Sequence, residues 1–257
     1  MISSAKMHKA EMTLKQLVPF RNQIETIISN LLSADASFSS PLLEAREVNH
    51  ATVVVWGSDD GLCGAYNVNI YKQLIAHLGE LRESLGQSAE IRIITVGSKM
   101  GKVCRKLSLK GVSVTSIAGI DSKSDENGTK TLATTLVEEF TEGITDRVDL
   151  LYMNFQSVSR QRVKVDGFLP VSQAMIGGAE GKATGRPYIF EPDANTIFNR
   201  VLPLFLMSVM QEVFSENRAS EQAARVMAMQ SANDNAKKLL DQLRLEYNKL
   251  RQQSIAT

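Results

Sequence analysis

The sequence predicts an α/β protein in which an antiparallel coiled coil of the N- and C-terminal helices carries an inserted domain of mostly parallel sheet. Three observations predict it. The 54 residues from Leu204 to Thr257 contain no glycine or proline and keep helical periodicity almost to the end. The first 33 residues carry a matching periodicity. Between these ends, short β-branched runs alternate with helical patterns, the mark of βαβ units.

In chain order, residues 1–35 form the first helix. Ser3, Met7, Ala10, Leu14, Leu17, Arg21, Ile24, Ile28 and Leu31 step by three and four, the spacing of a coiled-coil seam. Pro19 removes one backbone hydrogen bond and is expected to bend this helix rather than end it. Ser33, Ala34 and Asp35, with the serine-rich stretch after them, stop it.

Residues 50–190 form the globular domain. Ala51–Trp56 (ATVVVW) is a continuously apolar strand of the kind buried on both faces. A helix follows over Asn67–Leu85, with Ile70, Leu74, Leu78 and Leu81 on one face. Then come a strand over Ile91–Val96, a helix over Ser98–Leu109, a strand over Val112–Ile117, a helix over Thr129–Phe140 and a strand over Val148–Phe155. Right-handed crossovers make these strands parallel, a Rossmann-like arrangement. Arg162–Leu169 alternates apolar and polar residues and is expected to add an antiparallel edge strand. Ser172–Pro187, rich in glycine and small residues, is expected to be a surface loop.

Residues 195–257 form the long second helix. Val226, Met229, Asn233, Ala236, Leu240, Leu243, Tyr247, Leu250 and Ser254 extend the seam. From Leu204 this helix would run about 80 Å, whereas a compact ball of this chain length spans only about 45–50 Å. It therefore projects as a rod. An antiparallel partner of 33 residues reaches about 50 Å, so an overhang beyond Gln230 would expose Leu240, Leu243, Tyr247 and Leu250.

Composition narrows the function. A net charge of +1 argues against a dedicated nucleic-acid binder, whose footprint is strongly basic. No run approaches 18 apolar residues, so no direct membrane span is expected. The N-terminal MISSAKMHKAEM lacks the apolar core of a secretory signal. Cys63 and Cys104 lack metal or redox spacing and read as small core residues in a reducing, cytoplasmic-side compartment. His8, His50 and His77 have no ligand spacing and read as surface or helix-face residues.

Gly57-Ser-Asp-Asp-Gly61-Leu-Cys-Gly64 follows the first strand and opens a helix, the usual position of a phosphate loop. It lacks the Gly-Lys-Ser/Thr of a P-loop, does not match GxGxxG, and its Asp59 and Asp60 would repel a phosphate at that helix end. It reads as a tight turn. No cofactor, metal or catalytic residue is expected. A doubly wound nucleotide-binding enzyme would have to use the crevice beyond Trp56, where only Asp59, Asp60 and Asn154 offer polar groups. A generic coiled-coil adaptor satisfies the same periodicity.

Three stretches together carry a resemblance: ISSAKMHKAE at Ile2–Glu11, VVVWGSDDGLCGAYNVNI at Val53–Ile70 and SEQAARVMAMQSANDNAKKLLDQLRLEYNKLRQQSI at Ser220–Ile255. With YIFEP at Tyr188–Pro192 they resemble, in the same order, the gamma subunits of bacterial F-type ATP synthases. The resemblance implies a non-catalytic central-stalk rotor that couples transmembrane proton flow to ATP synthesis or hydrolysis. The implied partners are the alpha and beta subunits of the catalytic ring, the epsilon subunit and the membrane c-ring. The implied location is the cytoplasmic face of the bacterial membrane, as a peripheral part of the complex.

Residue by residue, the resemblance places Arg251 and Gln252 against the catalytic ring, with Lys6 and Lys9 at basic positions of the short helix. It places Tyr188 and Glu191 near the epsilon subunit and the ring base. The sequence departs from the pattern at its ends: family members usually begin several helical turns before Met1 and continue past Thr257. Ala256 stands where the family usually has the threonine of its SIT triplet.

Overall fold

The computed structural model describes residues 2–32, 38–117, 120, 126–172, 175–176 and 189–256. Helix α1, Ile2–Leu32, continues through Pro19 without ending. After a short 3₁₀ turn at Pro41–Leu43, capped by Ser40, come β1 (His50–Trp56), α2 (Tyr66–Leu85), β2 (Glu90–Val96), α3 (Ser98–Cys104) and β3 (Val112–Ser116). They are followed by α4 (Glu126–Thr141), β4 (Arg147–Ser157), β5 (Arg160–Leu169) and the 63-residue α5 (Ala194–Ala256).

The sheet order is β3-β2-β1-β4-β5. β1 pairs in parallel with β2 and β4, β2 with β3, and among the described strands only β5 runs antiparallel, along the outer edge of β4. Because successive side chains of a strand point to opposite faces, β1 serves two cores. Ala51, Val53 and Val55 pack with Ile70, Leu74, Leu78 and Met100 of α2 and α3. Val54 and Trp56 face the other side, with Leu132 and Leu136 of α4, Ile28 and Leu31 of α1, and Phe205 and Phe214 of α5. That double burial is why β1 reads as an unbroken apolar run.

α3 stops at Cys104, short of the expected Leu109. The chain must turn back to set Val112 opposite Ile91, and Gly111, at φ 69°, makes that turn. His77 lies on α2, a helix position as expected, but faces inward. It is buried, and its Nε2 lies 2.8 Å from Asp149 Oδ2, with Arg147 Nε 3.0 Å from the same carboxylate oxygen. Burial alone would lower its pKa, but the bond and charge of Asp149 outweigh burial and raise it. Cys63 and Cys104 are free and buried as expected, and burial pushes the Cys104 thiol up to about 11. Of the expected surface loop, Ser172, Met175 and Ile176 are described; Ser172 is exposed and Ile176 is buried, and the other loop residues lie outside the described residues.

α1 and α5 run antiparallel. Arg21 is ion-paired with Glu212, while Ser39 N donates to Asn195 Oδ1 at 3.0 Å, so α5 numbering rises as α1 numbering falls. On α1, Ala10, Ile24, Ile28 and Leu31 are buried, and Met7, Leu14, Leu17 and Arg21 are half-buried. On α5, burial fades after Ala223, and every described residue from Met229 onward is exposed. The sequence periodicity draws the seam unbroken to Ser254. In this chain α1 covers it only as far as Val226, which is half-buried, while Met229, Leu240, Leu243, Tyr247 and Leu250 face outward. Carrying the Arg21–Glu212 register to Ile2 reaches only to about Ser231.

Apolar length in α5 exceeds the sequence expectation. α5 contains an 18-residue window of mean hydropathy 1.3, long and apolar enough by composition to cross a membrane. Half of that window is buried inside the fold, where Phe198, Leu202, Phe205 and Leu206 are committed to the core.

Candidate functional site

In an open α/β sheet, ligands bind beyond the C-terminal ends of the strands, where the strand order reverses. Here that point lies between β1 and β4, bordered by the turn after Trp56 and by Met153 and Asn154. The turn is built for close approach. A Cβ on Gly57 would lie 2.4 Å from Met100 Cβ, and one on Gly97, at φ 99°, would lie 2.9 Å from the Gly57 carbonyl carbon. Asp59 Oδ1 accepts from Ser98 N at 2.8 Å and Ser98 Oγ donates to the Asp59 carbonyl at 3.0 Å. The protein's own carboxylate thus occupies the N-terminus of α3. Asn67 ties the turn to α2, its Nδ2 donating to Ser58 Oγ at 2.7 Å.

α5 fills the crevice. Phe214 packs on Trp56 with ring centroids 5.9 Å apart. Asn217 reaches three elements at once: its Nδ2 donates to the Gly57 carbonyl (3.2 Å), and its Oδ1 accepts from Tyr66 hydroxyl (2.7 Å) and Met153 N (3.3 Å). Ser220 Oγ donates to the Met153 carbonyl at 3.1 Å. Asn154 Nδ2 donates to Glu216 Oε2 at 2.7 Å. Arg225 Nε donates to the Gly61 carbonyl at 3.1 Å, and its guanidinium pairs with Glu221 at 2.7 Å. The space left among Trp56, Gly57, Phe214, Asn217 and Glu221 is about 10 Å³, against several hundred for a small-molecule pocket.

Burial sets the electrostatics of this junction. It raises the pKa of Glu221 first, with Asp59 and Asp60 adding to the rise and Arg225 opposing it. It also holds the Tyr66 phenol well above its ordinary value, with the Glu221 charge next in importance. Chemically, the arrangement fastens a helix to a sheet. Two of the three polar candidates at the strand ends are occupied, Asp59 by α3 and Asn154 by α5; Asp60 is exposed and contributes its carbonyl, 3.4 Å from Arg225.

The sequence-predicted contact residues lie elsewhere. Lys6 and Lys9 are exposed on α1, and Arg251 and Gln252 are exposed on the projecting part of α5. By the α1–α5 register, Lys6 faces about Met227, so the two sets stand about 35 Å apart along the helix axis and are not brought together. Glu191 is exposed just ahead of α5; Tyr188 lies outside the described residues. The fastening residues Tyr66, Asn217 and Ser220 were not anticipated. The available signal was a polar cluster, Glu216–Glu221, interrupting an otherwise apolar face of a long helix.

The family model described as ATP synthase matches residues 1–257. The chain is 36% identical over 256 residues to the ATP synthase gamma chain of Parabacteroides distasonis, covering 99% of this chain and 86% of that protein. It is 33% identical over 258 residues to that of Xanthomonas oryzae, with 99% and 86% covered. Among solved structures, a chain from the central stalk and c-ring of the Tetrahymena thermophila mitochondrial ATP synthase shares the fold. Its TM-score is 0.53 at 18% identity, with 91% of this chain and 100% of that chain covered. The strand-end crevice filled by a helix and the match along the whole sequence agree: this chain belongs to the ATP synthase gamma-chain family, the non-catalytic central-stalk subunits of a rotary complex.

Proposed function

We propose that this chain is the shaft that couples transmembrane proton flow to ATP synthesis or hydrolysis in a ring of alpha and beta subunits. Its foot would meet the epsilon subunit and the c-ring on the cytoplasmic face of the bacterial membrane. One observation carries this reading: α5 is a single helix, fastened to the sheet over Phe214–Arg225 and projecting freely beyond Gln230. A torque applied to the domain passes into the projecting part without crossing a loop. The exposed stripe of Leu240, Leu243, Tyr247 and Leu250 suits a seam completed within the assembly.

Arg251 and Gln252 are the proposed contacts with the catalytic ring, where the rigid fork of an arginine suits carboxylates on a partner. Lys6 and Lys9 are proposed as ring contacts lower on the shaft, and Tyr188 and Glu191 as contacts with the epsilon subunit and ring base. The test is ATP synthesis by the reconstituted complex in proton-loaded vesicles. Arg251→Ala combined with Gln252→Ala should leave the fold intact and lower coupled synthesis about tenfold, the equivalent of about 1.4 kcal/mol. Full synthesis by the double variant would remove these residues from the functional list.

A further inference from the structure

On the side of α5 away from the strand-end crevice, a cavity of about 420 Å³ lies between α1, α5 and the β4–β5 edge. Charged groups from each of these elements converge on it, and most are matched. Arg21 pairs with Glu25 at 2.8 Å and with Glu212. Lys164 Nζ lies 2.8 Å from Asp166, which also accepts from the Tyr152 hydroxyl at 2.8 Å. Arg162 stands opposite Asn154 in the β4–β5 register, hence on the same face, but is exposed. That leaves Glu216. Its partner is the neutral amide of Asn154, and among the described residues no lysine or arginine lies within ion-pair distance of it.

We propose that Glu216 is a proton-operated clamp between the shaft helix and the sheet. Neutral, it lets α5 seat on β4 through Asn154. Ionised, it sets a third carboxylate beside Glu212 and Asp166, and the resulting repulsion and need for hydration loosen the seat. Burial first, and then the Glu212 charge, push its carboxyl up to about 7, against the opposing Asn154 bond and Lys164 charge. The change of state therefore falls near neutral pH. Because the folded chain holds this proton more tightly than the unfolded one, the stabilisation is complete below the ordinary glutamate range. It is lost as pH rises from about 4.5 to about 7 and does not change further above that.

Two measurements on the full chain test this. Glu216→Gln imitates the neutral acid, so its melting temperature should exceed that of the unsubstituted chain at pH 8 and converge with it at pH 5. An offset that stays constant across this range overturns the proposal. Comparing the two chains at each pH cancels the titration of His77, which both share. Independently of any variant, the side-chain carboxyl carbon of Glu216, assigned by through-bond NMR, should titrate with a midpoint near 7. A midpoint near 4.5 overturns the proposal. Glu212→Gln should move that midpoint downward by removing the neighbouring negative charge, and an unmoved midpoint would contradict the cluster as its cause.

Discussion

The two halves of α5 share one backbone and differ in almost everything else. From Phe198 to Ala223 the helix presents Phe198, Leu202, Phe205, Leu206 and Met210, each no more than 1% exposed, to α1, α4 and the sheet. From Met229 to Ala256 it presents Leu240, Leu243, Tyr247 and Leu250 at 48–66% exposure. Both halves carry apolar residues at helical spacing. Periodicity thus identifies a face fit to be buried, while burial itself depends on what the rest of the fold brings to that face. Tertiary packing supplies most helical stability. The first half has it from three directions, and the second rests on its backbone hydrogen bonds and helix propensity.

This contrast can be broken by matched substitutions. Leu206→Asp would place a carboxylate in a fully buried site, at a cost of several kcal/mol. The same change at Leu243, 53% exposed, should cost under about 1 kcal/mol in the isolated chain. Thermal unfolding of both variants checks this, and equal losses would mean that Leu243 is buried after all. A smaller effect is expected at the fastening. Asn217→Ala leaves Met153 N and the Tyr66 hydroxyl without this partner, a loss of about 1–3 kcal/mol, read from denaturant midpoints. A loss near zero would place the junction's strength in apolar packing alone. The smallest effect belongs to Lys237→Ala on the exposed half, within about 0.5 kcal/mol of no change.

How much of this was legible in the sequence differs by element. β1 and β2 were legible because burial on both faces leaves continuous β-branched runs, and β5 because an edge strand alternates. The α1 side of the seam, including Ile24 and Ile28, was legible because one helix face is packed along its whole length. The end of α3 was not, since it depends on the register of Val112 against Ile91. Nor was the burial of His77, which rests on Asp149, 72 residues away. The fastening network was hidden for the same reason. Asn217 joins Gly57, Tyr66 and Met153, which are brought together only by the crossing of α5 over the strand ends, and no local pattern encodes that crossing. The contact residues Arg251 and Gln252 came from resemblance alone.

Hydrogen exchange along α5 tests the central claim most directly, namely that one continuous helix is fastened over its first half and projects over its second. Amides from Leu202 to Ala223 should exchange only on global unfolding, whereas those from about Lys237 onward should exchange orders of magnitude faster through local opening. Slow exchange across Leu240–Leu250 in a chain that remains monomeric would contradict it, because that stretch would then have to be packed against the protein's own domain.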